Sequence, residues 1–155
     1  MRIIDIDNNF INVDCEEDLK DNKYWIMADV SEIESLNKFI NIDNESIEDC
    51  KSFSQTSKIS FFNEYIFVIF NVLSWQNDIV TSRDLNVFLS KKYIITVYRD
   101  SMGILNDLID DIRDSKNCYV LKDKPAVDML LYYILDRIII RNYDVISKLE
   151  ASADK

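Results

Sequence analysis

Apolar and polar positions follow two different periods along the chain. In the middle of the chain the apolar positions recur about every second residue, and β-branched and aromatic residues are frequent, as is typical of strands. Short polar turns divide this stretch into two predicted hairpins. The hairpins pair residues 58–62 with 65–75, and residues 79–89 with 93–98.

The region before these hairpins predicts three strands and two short helices. Residues 2–13 have the pattern of a small hairpin around a polar turn, residues 14–23 that of an acidic loop, and residues 24–30 that of a buried strand. Ser31 with Glu34 matches a capping box, which predicts a helix that buries one apolar face. That face carries Ile33, Leu36 and either Phe39 or Ile40. A second short helix is predicted from Asp43 to Cys50.

The region after the hairpins returns to helical spacing. Ser101 is the predicted N-cap of an amphipathic helix. Its inward positions are Ile104, Leu105, Leu108, Ile109 and Ile112, and its outward ones Asp107, Asp110, Asp111 and Asp114. Pro125 suits a first helical turn and predicts a long helix that runs to the end of the chain.

Together these elements predict one α/β domain. We expect a three-layer α/β/α sandwich with a mixed, mainly antiparallel sheet of about seven strands, covered by helices on both faces. Residues 1–123 form the body, and residues 124–155 form the long helix that packs on it.

Composition excludes several classes of protein. The 155 residues are 48% hydrophobic, which excludes global disorder, and a single Gly leaves no material for a glycine-rich phosphate loop. The absence of His removes catalytic triads that depend on it and zinc sites that contain it. No nucleophile or substrate clamp accompanies the carboxylates, so we do not expect an enzyme.

The net charge and the cysteines limit the possible binding partners and the cellular compartment of the protein. A net charge of −10 disfavours nucleic acid and favours divalent cations or basic proteins. Cys15, Cys50 and Cys118 form no C-x-x-C pair, and we expect reduced, buried thiols in a cytosolic setting. The chain has no signal peptide and no apolar stretch near the roughly 18 residues of a membrane span, which predicts a soluble chain.

Two groups of carboxylates stand out. Glu48 and Asp49 are adjacent at the end of a short helix, with Glu45 at helical spacing before them, and such like charges destabilise a helix when nothing binds them. Asp136 lies among Tyr132, Tyr133, Ile139 and Ile140, none of which carries a positive charge. Carboxylate oxygens suit Mg²⁺. Solvated surface is the alternative explanation for both groups.

Four runs of residues, in order and at matching intervals, resemble the CorA family of magnesium transporters over residues 24–155. Residues 41–50 (NIDNESIEDC) resemble the family's Ile-His-Pro-x-x-Leu-Glu-Asp element, and residues 58–68 (KISFFNEYIFV) follow at the expected interval. Residues 87–99 resemble its Ile-Thr-Val-His hairpin. Residues 130–136, followed by Tyr143 and residues 148–150, resemble the helix that leads into its stalk. Thr56-Ser57 replaces the usual Arg-Pro, and the membrane helices with their Gly-Met-Asn signature are absent.

The resemblance implies a cytoplasmic, Mg²⁺-sensing regulatory domain of a divalent-cation channel. It implies a homopentamer on the cytoplasmic side of the membrane, in a longer protein that reaches the membrane only through segments after Lys155. By position Asp49 matches the family's metal ligand between subunits, with Glu48 and Asp136 nearby and the partner carboxylate on a neighbour's stalk. The alternative is a stand-alone acidic interaction module without a transport role.

Overall fold

The structure is a computed structural model that describes residues 1–52 and 56–154. It contains seven strands and four α-helices, together with two 3₁₀ helices, Glu16–Asp18 and Val30–Lys38. The strands are β1 Arg2–Asp5, β2 Ile11–Val13, β3 Tyr24–Asp29, β4 Lys58–Phe61, β5 Ile66–Gln76, β6 Ile79–Leu89 and β7 Tyr93–Tyr98. The α-helices are α1 Asn44–Lys51, α2 Gly103–Arg113, α3 Tyr119–Asp123 and α4 Val127–Ala153.

All seven strands form one sheet in the order β2-β1-β3-β7-β6-β5-β4. Every neighbouring pair is antiparallel except β3 and β7, which run parallel from Tyr24 opposite Tyr93 to Asp29 opposite Tyr98. The chain between β3 and β7 carries the 3₁₀ helix Val30–Lys38, α1 and the β4–β6 meander. The predicted mixed, mainly antiparallel sheet of about seven strands is confirmed.

One side of the sheet, which we call the α4 side, is covered by α2, α3 and α4. Alternate strand residues such as Trp25, Leu85 and Val87 point to this side and pack against Leu108 of α2 and Leu130 of α4. All five side chains are fully buried. The five inward positions predicted for α2 are all buried, because its apolar spacing matches the helical period.

The opposite side, which we call the α1 side, is covered by α1 and the 3₁₀ helix Val30–Lys38. Here Ile26 and Phe88 of the sheet pack against Ile33 and Leu36 of the 3₁₀ helix and Ile47 of α1. Both faces of the sheet are therefore buried, and the predicted three-layer arrangement is confirmed.

Both predicted serine caps are wrong. The 3₁₀ helix Val30–Lys38 is capped by Asp29, whose carboxylate accepts from the Ser31 amide at 2.9 Å, while Glu32 accepts from the Asp29 amide at 3.0 Å. The parallel pairing of β3 ends at Asp29, so the helix begins one residue before Ser31. In α2 the N-cap is Met102, which provides no side-chain cap.

Four further details differ from the sequence predictions. The long helix begins at Val127 because Ala126 is extended, so Pro125 lies outside it, and Lys155 lies outside the described residues. The five-residue α3 was not predicted. Cys15 is exposed, whereas the other two cysteines are buried. Asp111, predicted to point outward, is half-buried and pairs with Arg137.

Among the described residues, no helix combines the length and the apolar character that a membrane crossing requires.

Candidate metal site

The predicted ligands Glu48 and Asp49 lie in the last turns of α1. This helix begins where the Asp43 carboxylate accepts from the Glu45 amide at 2.9 Å, a common way to satisfy a free N-terminal N–H. The Tyr65 hydroxyl, which is buried beneath α1, accepts from the Asp43 amide at 3.0 Å and lies 2.9 Å from the Ser46 hydroxyl. These contacts hold the acidic helix against the sheet.

Asp49 already has a cationic partner. Its carboxylate forms an ion pair with the ammonium group of Lys58, the first residue of β4. The same ammonium lies 3.8 Å from a carboxylate oxygen of Glu45. The hydrogen bond to Asp49 raises the pKa of Lys58 above its ordinary value, in spite of some opposing desolvation. A metal ion at Asp49 therefore has to compete with this lysine.

Glu48 is exposed beside this pair. Its backbone carbonyl accepts from the Ser52 amide at 3.0 Å and from the Ser52 hydroxyl at 2.9 Å, which ends the helix. Its carboxylate contributes to the raised pKa of Lys51, although the main cause is a hydrogen bond to Glu34. Helix α1 thus carries three carboxylates near two lysines. The carboxylates are those of Glu45, Glu48 and Asp49, and the lysines are Lys51 and Lys58.

Asp136 lies on α4, at the edge of an exposed apolar surface. We call this surface the outer face of α4. It consists of Tyr132, Leu135, Ile139, Ile140, Tyr143, Ile146 and Leu149, all of them exposed. Asp136 is half-buried, and no hydrogen bond or ion pair joins its carboxylate to another described residue. The neighbouring Arg137 is directed instead to Asp111, 2.5 Å away.

Within one copy of the chain, the structure does not bring the three predicted ligands together. α1 packs on one side of the sheet and α4 on the other, so Asp49 and Asp136 belong to different layers. In the described part of the chain, no group of three or more His, Cys, Asp or Glu side chains could hold a metal ion. The donors suit a hard cation in kind, because they are carboxylates, but Asp136 lies in a different layer from Glu48 and Asp49.

Sequence reasoning missed the role of Lys58. It lies nine positions after Asp49, and only the pairing of β4 with β5 places it beside α1. A lysine at the first position of an edge strand is so common a feature that its sequence position alone does not identify a partner.

Comparisons with known proteins agree on one family. The model of the family described as "CorA-like Mg2+ transporter protein" matches residues 20–155. The cobalt/magnesium transport protein CorA of Thermotoga maritima is 21% identical over 126 residues, which are 79% of this chain and 34% of that protein. The chain thus spans about a third of the length of this curated relative.

Two solved structures have a similar fold. The ZntB cytoplasmic domain from Vibrio parahaemolyticus aligns with a TM-score of 0.76 at 6% identity, over 99% of this chain and 63% of that one. The soluble domain of CorA from Methanocaldococcus jannaschii aligns with a TM-score of 0.68 at 19% identity, over 93% of this chain and 58% of that one. At these identities the likeness concerns the fold, while the family match extends over most of the chain. The chain belongs to the family of CorA-like Mg²⁺ transporter proteins and has the fold of its soluble domain.

Proposed function

We propose that this chain is the cytoplasmic regulatory domain of a divalent-cation channel, and that Mg²⁺ bound between copies of the domain keeps the channel closed. The copies form a homopentamer in the intact protein. Asp49, Glu48 and Asp136 contribute carboxylates at the boundary between copies. When internal Mg²⁺ falls, the acidic surfaces separate and uptake of the ion resumes.

The observation that carries this proposal is the position of Asp136 on α4. The outer face of α4 exposes a row of large apolar side chains, such as Tyr132 at 60% and Tyr143 at 73% of full exposure. An apolar surface of this kind marks a contact with other protein. A carboxylate enclosed in such a contact is costly unless a cation or a hydrogen-bond donor reaches it.

Charge supports the proposal from a different direction. One copy carries −10, so five copies carry about −50, and their mutual repulsion opposes assembly. Divalent ions at the boundary offset this repulsion and stabilise the assembled state, which they bind better. At Asp49 the ion exchanges with the Lys58 ammonium, so the site responds to concentration instead of holding metal permanently.

The test uses the intact protein with Glu48→Gln and Asp49→Asn combined. In the unaltered protein we expect millimolar Mg²⁺ to slow proteolysis of the assembled domain and to inhibit ion uptake into vesicles. The double variant should need about 5- to 150-fold more Mg²⁺ for either effect, the range of ordinary coupling between a ligand and an assembly. Asp136→Asn should shift the response in the same direction.

Two control variants distinguish the loss of metal ligands from a general loss of negative charge. Asp107→Asn with Asp110→Asn also removes two charges, from exposed positions on α2, and should leave the Mg²⁺ response unchanged. Lys58→Met removes the competing ammonium while keeping Asp49, and should lower the Mg²⁺ concentration required. An unaltered Mg²⁺ dependence in the Glu48/Asp49 variant, with the fold intact by circular dichroism, would contradict the sensor role.

A further inference from the structure

Strand β5 extends past its neighbour β4. The pairing of the two strands ends where Lys58 lies opposite Ile69, whereas β5 continues to Gln76. On its other edge β5 pairs with β6 along its whole length. In the described part of the chain, residues 70–76 therefore have a strand partner on one edge only. We call the edge of residues 70–76 that faces away from β6 the outer edge of β5.

The hairpin turn between β5 and β6 determines which backbone groups point to the outer edge. Gln76 lies opposite Ile79 across a two-residue turn, in which Asn77 and Asp78 have φ angles of 51° and 61°. Such a turn closes on a hydrogen-bonded pair, and hydrogen-bonded pairs alternate along an antiparallel ladder. Every second residue counted back from Gln76 therefore bonds to β6. The residues whose N–H and C=O groups point to the outer edge are Asn71, Leu73 and Trp75.

Two side chains of α4 occupy this outer edge. The Leu73 amide donates to Oδ1 of Asn142 at 2.8 Å, and Nδ2 of Asn142 donates to the Asn71 carbonyl at 2.9 Å. One side-chain amide thus makes the two hydrogen bonds that a residue of a neighbouring strand would make. The guanidinium of Arg141 donates to the Leu73 carbonyl at 3.2 Å and to the Ser74 hydroxyl at 3.3 Å. A helix, and not a strand, therefore closes this edge.

The sequence of β5 is typical of a segment that pairs with other strands. Residues 66–76 (IFVIFNVLSWQ) contain no charged residue, no Gly and no Pro, although 30% of the whole chain is charged. Segments of this composition pair between chains when an edge exposes them. Natural proteins protect such edges with charges, with prolines or with a covering element. In this chain the covering element is α4.

We propose that Asn142 and Arg141 form an autoinhibitory contact, which prevents the outer edge of β5 from pairing with the outer edge of a second copy of this chain. A second copy is the occupant that fits, because an antiparallel edge paired with itself satisfies the same backbone groups on both chains about a two-fold axis. Residues 70–76 carry no charge that would repel their counterparts. Movement of this part of α4 away from β5 exposes the edge.

The first test measures association of this chain with EDTA present, so that its outcome does not depend on the proposed Mg²⁺ response. Asn142→Leu with Arg141→Met, which we call the edge variant, removes the contacts with β5 and keeps residues that favour a helix. By sedimentation equilibrium the edge variant should form dimers at least about tenfold more tightly than the unaltered chain, a change of about 1.4 kcal/mol. Ser147→Leu with Lys148→Met is the matched control, because it adds the same two side chains at exposed positions of α4 and should not promote dimers.

The second test locates the contact by hydrogen exchange. In the unaltered chain the Leu73 amide should be protected at every protein concentration, because Asn142 accepts from it. In the edge variant this amide should exchange fast at low concentration and become protected as dimers form. Adding Trp75→Pro to the edge variant removes an N–H that points to the outer edge, leaves the bonds to β6 in place and should abolish the dimer. Arg141 is exposed, so Arg141→Met alone should preserve the fold and show the same changes at smaller size.

Three results would overturn the proposal. The first is that the edge variant forms no dimer although its Leu73 amide exchanges fast, which means that an open edge does not pair. The second is a dimer in which exchange of the Leu73 amide does not depend on concentration, which places the contact elsewhere. The third is that the matched control forms dimers as tightly as the edge variant.

Discussion

On the α4 side of the sheet, three α-helices bury a continuous group of aliphatic side chains, whereas on the α1 side the cover is one 3₁₀ helix and the eight-residue α1. Apolar area supplies most of the stability of the α4 side. Hydrogen bonds also join α4 to β5, from Arg141 to the Leu73 carbonyl and from Asn142 to the Asn71 carbonyl. The α1 side has shorter elements, which bury less area and would be marginal by themselves.

Hydrogen bonds compensate for this difference on the α1 side. Tyr65 contacts the backbone and a side chain at the start of α1, and Arg99 binds two carbonyls at its end. Asn37 accepts from the Ile42 amide at 3.0 Å and closes the connection between the two helices. The comparison teaches that a layer of short helices can remain ordered when specific hydrogen bonds join it to the sheet. Of the carboxylates that we propose for regulation, Glu48 and Asp49 lie on this side, whereas Asp136 lies on α4.

The largest expected effect is on the α4 side. Leu130→Ala removes a fully buried side chain from the contact between α4 and the sheet and should lower the free energy of unfolding by about 2–5 kcal/mol. Urea denaturation measures it. Leu149→Ala on the exposed part of the same helix is the control and should change stability by less than about 0.5 kcal/mol. A similar loss in both variants would contradict the conclusion that packing against the sheet holds α4.

A smaller effect is expected on the α1 side. Tyr65→Phe keeps the buried ring but removes the hydroxyl that contacts Asp43 and Ser46, leaving their polar groups without this partner. We expect a loss of about 1–3 kcal/mol. Hydrogen exchange should show faster opening of α1 than of α4. Tyr132→Phe, which removes an exposed hydroxyl, is the control, and equal opening of both helices would contradict the proposed contrast between the two sides.

The smallest effect concerns the cap of the 3₁₀ helix and depends on pH. The amide of Ser31 donates to Asp29 and is the main cause that lowers the pKa of this carboxyl below its ordinary value of 3.8. The lowered pKa means that the stabilisation is present above the unfolded value and is lost as the pH falls through the folded one. Asp29→Ala should cost about 1 kcal/mol at neutral pH.

Asp29→Asn separates the cap from the charge. Asparagine is a good N-cap that does not titrate, so this variant should retain most of the stability at neutral pH and lose less than the unaltered chain on acidification below about pH 4. Melting temperatures measured across this pH range test the prediction. If the Asn and unaltered chains lose stability in parallel, Asp29 does not contribute to the acid sensitivity.

The strands and most of the helices could be predicted because their apolar spacing is local information. The two hairpins, the inward face of α2 and the long helix α4 follow from periods of two and 3.6 residues. The caps could not be predicted with the same accuracy. Asp29 with Glu32 and Ser31 with Glu34 fit the same motif, and the end of the pairing between β3 and β7 decides between them.

The candidate metal site also combines features that the sequence predicts with features that only the fold decides. The sequence singled out Glu48, Asp49 and Asp136 by their types and spacing, and the distribution of these residues between two layers came only from the fold. The contact of Lys58 with Asp49 and the burial of Asn86 in β6 could not be predicted from the sequence either, because both depend on which strands are neighbours.

The amino-acid sequence by itself determined the type and order of most elements, the acidic character of the chain and its resemblance to one family, since each depends on residues that are close along the chain. The tertiary structure decided which charges are paired, which strand edge is covered by side chains and which apolar face of α4 stays exposed. These properties depend on contacts between residues far apart in the chain, and such contacts exist only after the sheet has formed.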